Sequence, residues 1–267
     1  MPELPDVEVL RRYLDATSLR QEIETVEVRS CQVLEGISAA ELAAGLEARS
    51  FESTRRHGKY LLAALDSGRW LMLHFGMTGG LKYFSDMGED PTYDRLLITF
   101  SDGYHLAYEA QRKLGKIRLI EDVKSFIEEK GLGPDALASD FDLAAFRRAL
   151  AERRGMTKST LMNQHIVAGI GNIYADEILF QVDIHPRAKI NQLDDEVLGE
   201  LFEAMREVLR TAVDCQADPN RFPDSYIIPH RRNDGECPKC GGDLGRVKVC
   251  GRSAYHCPNC QTRRLEE

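Results

Sequence analysis

Ile166-Val167-Ala168-Gly169-Ile170-Gly171-Asn172-Ile173-Tyr174-Ala175-Asp176-Glu177 is the stretch on which the fold turns. Two segments of helical pattern, 158–165 and 172–182, meet there at a glycine-bearing turn, as in a helix-turn-helix. Backbone amides at the start of the second helix are placed to bind a phosphate, and Asn172 adds a side-chain donor. The same Gly-x-Gly-Asn reads equally as a tight turn with an N-cap.

Working outward, residues 142–153 and 194–212 continue the helical pattern, the first through Leu143, Phe146 and Leu150. Gly131-Leu132-Gly133-Pro134 reads as a linker. Before it, residues 23–120 are β-rich: strands are expected at 60–65, 70–75, 96–100 and 104–108, with Ser101-Asp102-Gly103 as a hairpin turn. Short strands with turn signals point to a sandwich or barrel, interrupted by a short helix at 38–45. Residues 5–20 form an opening helix, with Pro5 at its first position and Val7, Leu10 and Leu14 as its apolar stripe. The fold class is therefore α+β.

After the helices come Cys237-x2-Cys240 and Cys257-x2-Cys260, with 16 residues between the pairs. This spacing predicts one structural zinc held by Cys237, Cys240, Cys257 and Cys260 in a small hairpin. Four thiolates close the tetrahedral shell, so the metal staples rather than catalyses. Cys31, Cys215 and Cys250 are scattered and do not suggest a disulfide framework.

The 267 residues suffice for two modest domains and a small module. With 43% hydrophobic and 29% charged residues the composition is that of a soluble globular chain. No apolar run approaches the roughly 20 residues of a membrane span, and the first twenty residues do not form a signal peptide. A cytoplasmic protein without a membrane partner is expected.

The net charge of −8 disfavours nucleic acid only if charge is evenly spread. Basic residues cluster at Arg55, Arg56, His57 and Lys59, at Arg112, Lys113, Lys116 and Arg118, at Arg153, Arg154 and Lys158, and from Arg231 to Arg264, where eight Lys/Arg face three Asp/Glu. Any one cluster reads as a solvated face; four of them beside motif residues read as a basic track on an acidic protein. Acids gather instead at Asp194, Asp195, Glu196, Glu200, Glu203 and Glu207.

The chain opens Met1-Pro2-Glu3-Leu4-Pro5. Once Met1 is removed, Pro2 becomes a secondary amine with a pKa of roughly 7.7–8.0, as for other α-amino groups. Such an amine is a plausible nucleophile toward an aldehyde-like carbon, and Glu3 sets a carboxylate beside it. With Met1 in place Pro2 is an amide and this chemistry is closed.

Pro2-Glu3-Leu4-Pro5 with Glu8, Gly58-Lys59-Tyr60-Leu61, His74-Phe75-Gly76-Met77-Thr78-Gly79, Arg112-Lys113-Leu114-Gly115, Gly169-Ile170-Gly171-Asn172-Ile173-Tyr174 and the four cysteines occur in this order. Together they resemble the bacterial formamidopyrimidine-DNA glycosylase/endonuclease VIII family of base-excision repair, across nearly the whole chain. The start is more similar to the formamidopyrimidine branch. The resemblance implies an N-terminal β-sandwich catalytic domain over 1–133, a helical helix-two-turn-helix DNA-binding domain over 134–230 and a zinc finger over 231–267. It further implies that damaged double-stranded DNA is held in the cleft between domains by a monomer that needs no protein partner and is nucleoid-associated when bound.

By the same resemblance the activity is that of a DNA-formamidopyrimidine glycosylase and DNA-(apurinic or apyrimidinic site) lyase. Pro2 attacks C1′ and forms an imine, Glu3 is general acid/base at the sugar, seated at a helix N-terminus, Lys59 is an essential lysine on a hairpin tip, and Arg252 completes the catalytic set from the finger. Lys158, Asn172 and Arg252 pinch phosphates; Met77 fills the hole left by the everted base, Arg112 meets the orphaned partner base, and His74 belongs to the same DNA-facing motif. Lys158 alone reads as readily as a surface charge.

Several residues depart from the family pattern. Ala110-Gln111 replaces Asp-Pro or similar, Leu114 stands where the branch has a wedge Phe, and Asp6 replaces Glu. Residues 214–236, which cap the everted base in the 8-oxoguanine-acting branch, read as shortened, with Tyr226, His230 or Arg231 as substitutes. Lesion choice is what these departures touch. Two other classes share parts of this pattern: a non-catalytic zinc-finger protein that binds distorted DNA, which has no use for Pro2, Glu3 or Lys59, and a nucleotide-processing enzyme, for which no Walker-type loop is present.

Overall fold

The structure is a computed structural model and describes residues 1–262; Arg263 and Arg264, which close the last basic stretch, lie outside the described residues. The chain divides into two units. One holds Met1–Pro2 and Asp6–Gly131; the other holds Glu3–Pro5 and residues from Leu132 onward.

The first unit is built on two antiparallel four-stranded sheets. The first sheet has the order β1 (Ile23–Val28), β6 (Asp94–Phe100), β7 (His105–Ala110), β5 (Gly79–Phe84); the second has β2 (Phe51–His57), β3 (Tyr60–Leu65), β4 (Trp70–His74), β8 (Lys116–Ile120). Side chains of both sheets, among them Phe51, Leu61, Leu73, Ile98, Phe100 and Ile117, form one core with Val7 and Leu14 of helix α1 (Leu4–Thr17). The sandwich and its opening helix are as the sequence patterning predicts. Pro5 is the second rather than the first helical residue, which is equally harmless because early helical N–H groups have no intrahelical partner. Glu8 ties α1 to β2 through Arg56 at 3.1 Å and also binds Arg11 at 2.7 Å. Burial works against its charge, but these two guanidinium groups hold its carboxyl below the usual range. Helix α2 (Ala39–Leu46) carries a full capping box between Ser38 and Glu41, and α3 (Val123–Lys130) ends on Gly131 at φ +60°.

In the second unit, α4 (Leu143–Leu150) and α7 (Asp195–Asp214) start on Asp142 and Asp194, whose carboxylates accept from the amides of Ala145 and Val197. Their apolar faces share one core with α6 (Asn172–Gln181), which is buried from Tyr174 to Phe180. Helix α5 (Thr157–Leu161) is shorter than the helix expected to run to His165. Side chains end it: Asn163 accepts from the His165 amide at 3.0 Å, while Gln164 accepts from Gly169 N at 2.9 Å and donates to Ile170 O at 2.8 Å. Beyond α7, β9 (Gly245–Val249) and β10 (Arg252–His256) form the finger hairpin. Its two-residue loop, Cys250-Gly251, has φ +46° and +77°, the sign pattern of tight hairpins. Phe180 and Ile227 pack against Leu244, Cys237 and Cys257, so the finger shares a small core with α6.

Among the described residues no helix is long and apolar enough to cross a membrane.

Candidate catalytic and nucleic-acid-binding site

Glu3 is 1% exposed. One carboxylate oxygen accepts from Gly171 N at 2.8 Å and Tyr174 N at 3.3 Å; the other accepts from Ile173 N at 2.9 Å. The three amides are the unpaired donors of the α6 N-terminus. Hydrogen bonds to a charged group are worth about 1.5–3 kcal/mol each, so Glu3 is held firmly. The glycines make the fit possible. A Cβ on Gly171 would lie 2.3 Å from Glu3 Cδ; one on Gly169, at φ +116°, would lie 2.5 Å from Leu4 Cδ1. Leu4 N donates to Gly169 O at 3.0 Å, closing a short clamp on the N-terminal residues. These contacts correct the expectation for the α6 amides and locate the cap. The α6 amides are taken by the chain's own carboxylate rather than left for phosphate, and the N-cap of the Gly-x-Gly-Asn turn is Gly171, which makes no side-chain cap.

Pro2 directly precedes this anchored carboxylate. Because the chain described carries Met1, the Pro2 nitrogen is in a peptide bond here, and amine chemistry requires cleavage of Met1.

Asn172, the first residue of α6, accepts from Lys158 Nζ at 2.8 Å. Lys158 is wholly buried: its ammonium pairs with Asp176 at 2.6 Å and reaches Ser253 O at 3.4 Å. Burial lowers its pKa from the ordinary lysine value while Asp176 pulls the other way. Lys158 is therefore not a surface charge, and its three donors all have acceptors within the protein. It backs Asn172 from within the second unit. Arg252 is exposed on β10 beside the hairpin loop.

In the first unit Gly58 turns β2 into β3 at φ +55° and Lys59 follows it, 7% exposed. His74 ends β4 opposite Tyr60 and lies 5.0 Å from its ring. Burial, followed by the charge of Lys59, pushes His74 down to about 4, so its imidazole is neutral at neutral pH. Two loops meet just beyond it. A Cβ on Gly76 (φ +60°) would strike the Leu114 and Gly115 backbone at 2.6 Å, so only glycine allows the approach. These loops present Met77, 40% exposed, Leu114, 48% exposed, and Arg112, which donates to Met77 Sδ at 3.1 Å. Large apolar side chains held out on a loop are informative where small polar ones would be more soluble.

The four cysteine sulfurs lie within 4.8 Å of one another, with Cys237–Cys260 at 3.8 Å and Cys240–Cys257 at 3.6 Å. A tetrahedral ion with about 2.3 Å metal–sulfur bonds has edges of about 3.8 Å, so the thiols fit such an ion. The amide of Gly242 holds Cys240 down to about 7.

Three expected features are otherwise engaged. Tyr226 is 7% exposed and packs on Phe222, and Arg231 binds Asp176 at 2.7 Å, so neither is available to cap a base. The basic clusters are partly spent on internal pairs, including Arg56–Glu8 and Arg118–Glu129; Arg112, Lys113, Arg153, Arg154, Lys248 and Arg252 are exposed. What sequence reasoning missed is Asp176 and Glu177, both 0% exposed. Glu177 accepts from the amides of Ile227 and Ile228 at 3.3 and 2.9 Å, fixing the segment before the finger. Two carboxylates in an otherwise apolar helix were the available signal.

Residues 1–117 match the formamidopyrimidine-DNA glycosylase N-terminal domain, and residues 132–223 match the formamidopyrimidine-DNA glycosylase H2TH domain. Curated relatives named formamidopyrimidine-DNA glycosylase include one from Streptococcus pneumoniae R6, 32% identical, and one from Geobacter metallireducens, 35% identical; each alignment covers 98% of this chain and 100% of the relative. Among solved structures, a Lactococcus lactis formamidopyrimidine-DNA glycosylase bound to DNA containing an AP site superposes with TM-score 0.88 at 28% identity. MutM in complex with carbocyclic 8-oxo-G DNA gives 0.88 at 29%; both comparisons cover 98% of this chain and 100% of the other. The chain belongs to the formamidopyrimidine-DNA glycosylase family.

Proposed function

We propose that this protein is a bifunctional DNA glycosylase and AP lyase of base-excision repair, acting on oxidised bases in duplex DNA through Pro2. The observation that carries the reading is the seating of Glu3 on three backbone amides, immediately beside the residue whose nitrogen becomes a secondary amine when Met1 is cleaved. The Pro2 nitrogen attacks C1′ as the C1′–base bond breaks and the base leaves with the amine proton; the C1′–O4′ bond then opens, O4′ takes a proton, and the nitrogen lone pair closes the C1′=N iminium. Glu3 serves as general acid/base at the sugar. Loss of a C2′ proton then expels the 3′ phosphate by β-elimination, and δ-elimination expels the 5′ phosphate. Lys59, buried on its turn, assists these steps, and His74 supports it as a neutral neighbour. Asn172 and Arg252 grip phosphates so that the nucleotide everts; Met77 fills the vacated stack, Arg112 meets the partner base, and Leu114 wedges beside it.

The four cysteines hold one zinc ion, which supplies structure only and keeps β9 and β10 folded so that Arg252 is presented. The protein works as a cytoplasmic monomer on DNA.

Lesion choice follows from the short wedge and from Tyr226 and Arg231 being engaged inside the protein. Ring-opened purines, hydantoins, oxidised pyrimidines and abasic sites should be processed faster than 8-oxoguanine opposite C. Single-turnover base release and nicking on matched duplexes tests both levels. Nicking with 8-oxoguanine:C fastest would overturn the lesion preference, while tight binding with no base release on any lesion would favour the non-catalytic reading.

A further inference from the structure

Asp176 lies one helical turn after Asn172 on α6, and side chains four apart share a helix face. It has no solvent exposure, yet three groups from three parts of the second unit converge on it. Lys158 Nζ of α5 pairs with one oxygen at 2.6 Å. Arg231, from the segment before the finger, and the amide of Tyr255 on β10 both reach the other oxygen, at 2.7 and 3.0 Å. Lys158 also reaches Ser253 O at 3.4 Å, two residues before Tyr255. The edge of β10 that does not pair with β9 is thus docked at two points onto the Lys158–Asp176 pair. An otherwise open strand edge finds its partners there.

We propose that Asp176 is the positioning residue that sets Asn172 and Arg252 as a single preassembled phosphate clamp, resting on the DNA-binding reading above. The Asn172 link runs through Lys158. With Asn172 Oδ1 held by the lysine, the amide turns its NH2 end outward, the end a phosphate oxygen requires. The Arg252 link runs through the strand, since Arg252 is one residue before Ser253 and three before Tyr255 on the same β10. One carboxylate also faces two buried or nearly buried cations. Without it, Lys158 and Arg231 would repel one another in a largely dry site, and both would withdraw from these positions.

The test uses Asp176→Asn in the zinc-loaded full chain, with fold checked by circular dichroism and metal content measured. Hydrogen exchange at the Tyr255 amide needs no DNA and should quicken at least ~10-fold, because its acceptor is weakened while the rest of β10 stays paired. Affinity for an abasic-site duplex should fall about 10-fold, and the slope of log K against log salt should shrink by about 1–2 as phosphate contacts are lost. The loss should fall on Kd more than on the single-turnover rate at saturating DNA, and should largely vanish in a background already carrying Asn172→Ala and Arg252→Ala. Wild-type affinity and nicking on the same duplex report separately on the glycosylase reading. If Asp176→Asn does not fold, Lys158→Met with Asp176→Leu replaces the buried pair by apolar side chains, an exchange cores often tolerate; the same losses are expected. A folded variant of either kind with wild-type Tyr255 exchange and an unchanged salt slope would overturn the proposal.

Discussion

The two ends of the candidate machinery are built in opposite ways. At the loop edge of the first unit, Met77, Arg112 and Leu114 are exposed and lightly held. At the start of α6 in the second unit, Glu3, Lys158 and Asp176 are buried, and each makes several polar contacts inside the protein. Under the proposed function, the difference separates probing from chemistry. Groups that enter a distorted duplex must find their partners in the DNA and stay outside until then. Groups that set a nucleophile or fix a phosphate gain from being ordered beforehand, because no ordering entropy is then lost on binding.

The sharpest way to break this contrast is to evict Glu3 without touching its chemistry. Gly171→Ala places a Cβ 2.3 Å from Glu3 Cδ, and a carboxylate end can swing away where backbone cannot. We expect the fold to survive and base excision to fall roughly 100-fold or more, the scale of general acid/base catalysis. Glu3→Gln should lose base excision more than cleavage of a preformed abasic site, whose sugar already offers an aldehyde. Equal losses on both substrates, measured by single-turnover kinetics, would contradict that division.

Removing the metal tests how far preassembly depends on the finger. Chelation or Cys257→Ser should unfold β9–β10 and weaken DNA binding about tenfold or more, by loss of the Arg252 phosphate contact with the rest of the clamp. The helices should keep their circular dichroism, since the main helical core does not include the cysteines. Unchanged affinity after verified metal loss would remove the finger from the grip.

The fold was legible wherever the code is local. Strand 60–65 is found at the expected residues, the acidic caps at 142 and 194 begin helices, and the cysteine spacing marks the finger. What escaped the sequence depends on partners far apart along the chain. The resemblance implies Glu3 at a helix N-terminus, but the amides it fills lie 168 to 171 residues away, so local reading gives Gly169 and Gly171 only as turn residues when they are in fact clearances for Leu4 and Glu3. The burial of Lys158, a phosphate binder by resemblance and as readily a surface charge taken alone, could not be read because its pair, Asp176, sits on another helix. The end of α5 was missed because Asn163 and Gln164 cap it through their side chains.

A pH series sharpens the picture of the buried side. Burial pushes Glu177 up to about 7, against the pull of Gln181 and the Ile227 and Ile228 amides. A folded pKa above the unfolded value of 4.5 adds stability that is fully present below 4.5 and is lost as pH rises through 7. At about 1.36 kcal/mol per unit this is roughly 3 kcal/mol across the window. Glu177→Gln should remove that slope in urea melts between pH 4.5 and 7.5. Taking the difference from wild type cancels Asp94, raised to about 6, and His74, lowered to about 4. Parallel curves for the two proteins would mean that the folded protein leaves Glu177 at its unfolded pKa.

The exposed side should show the smallest stability effects. Met77→Ala and Leu114→Phe should shift stability by no more than about 0.5 kcal/mol, as surface changes do. Leu114→Phe should raise the rate on 8-oxoguanine:C relative to abasic sites by thickening the wedge. A large drop in melting temperature for either variant would show that these side chains belong to the core rather than to the DNA.

Borohydride trapping on an abasic-site duplex, with Met1 removal verified by mass and the adduct mapped by peptide, is the most direct test of the central claim that Pro2 beside the anchored Glu3 is the reacting group. The account predicts a covalent protein–DNA adduct on the N-terminal peptide at Pro2, lost in Pro2→Gly, which keeps DNA binding. An adduct on a lysine elsewhere, or none with a free Pro2 terminus, would contradict it.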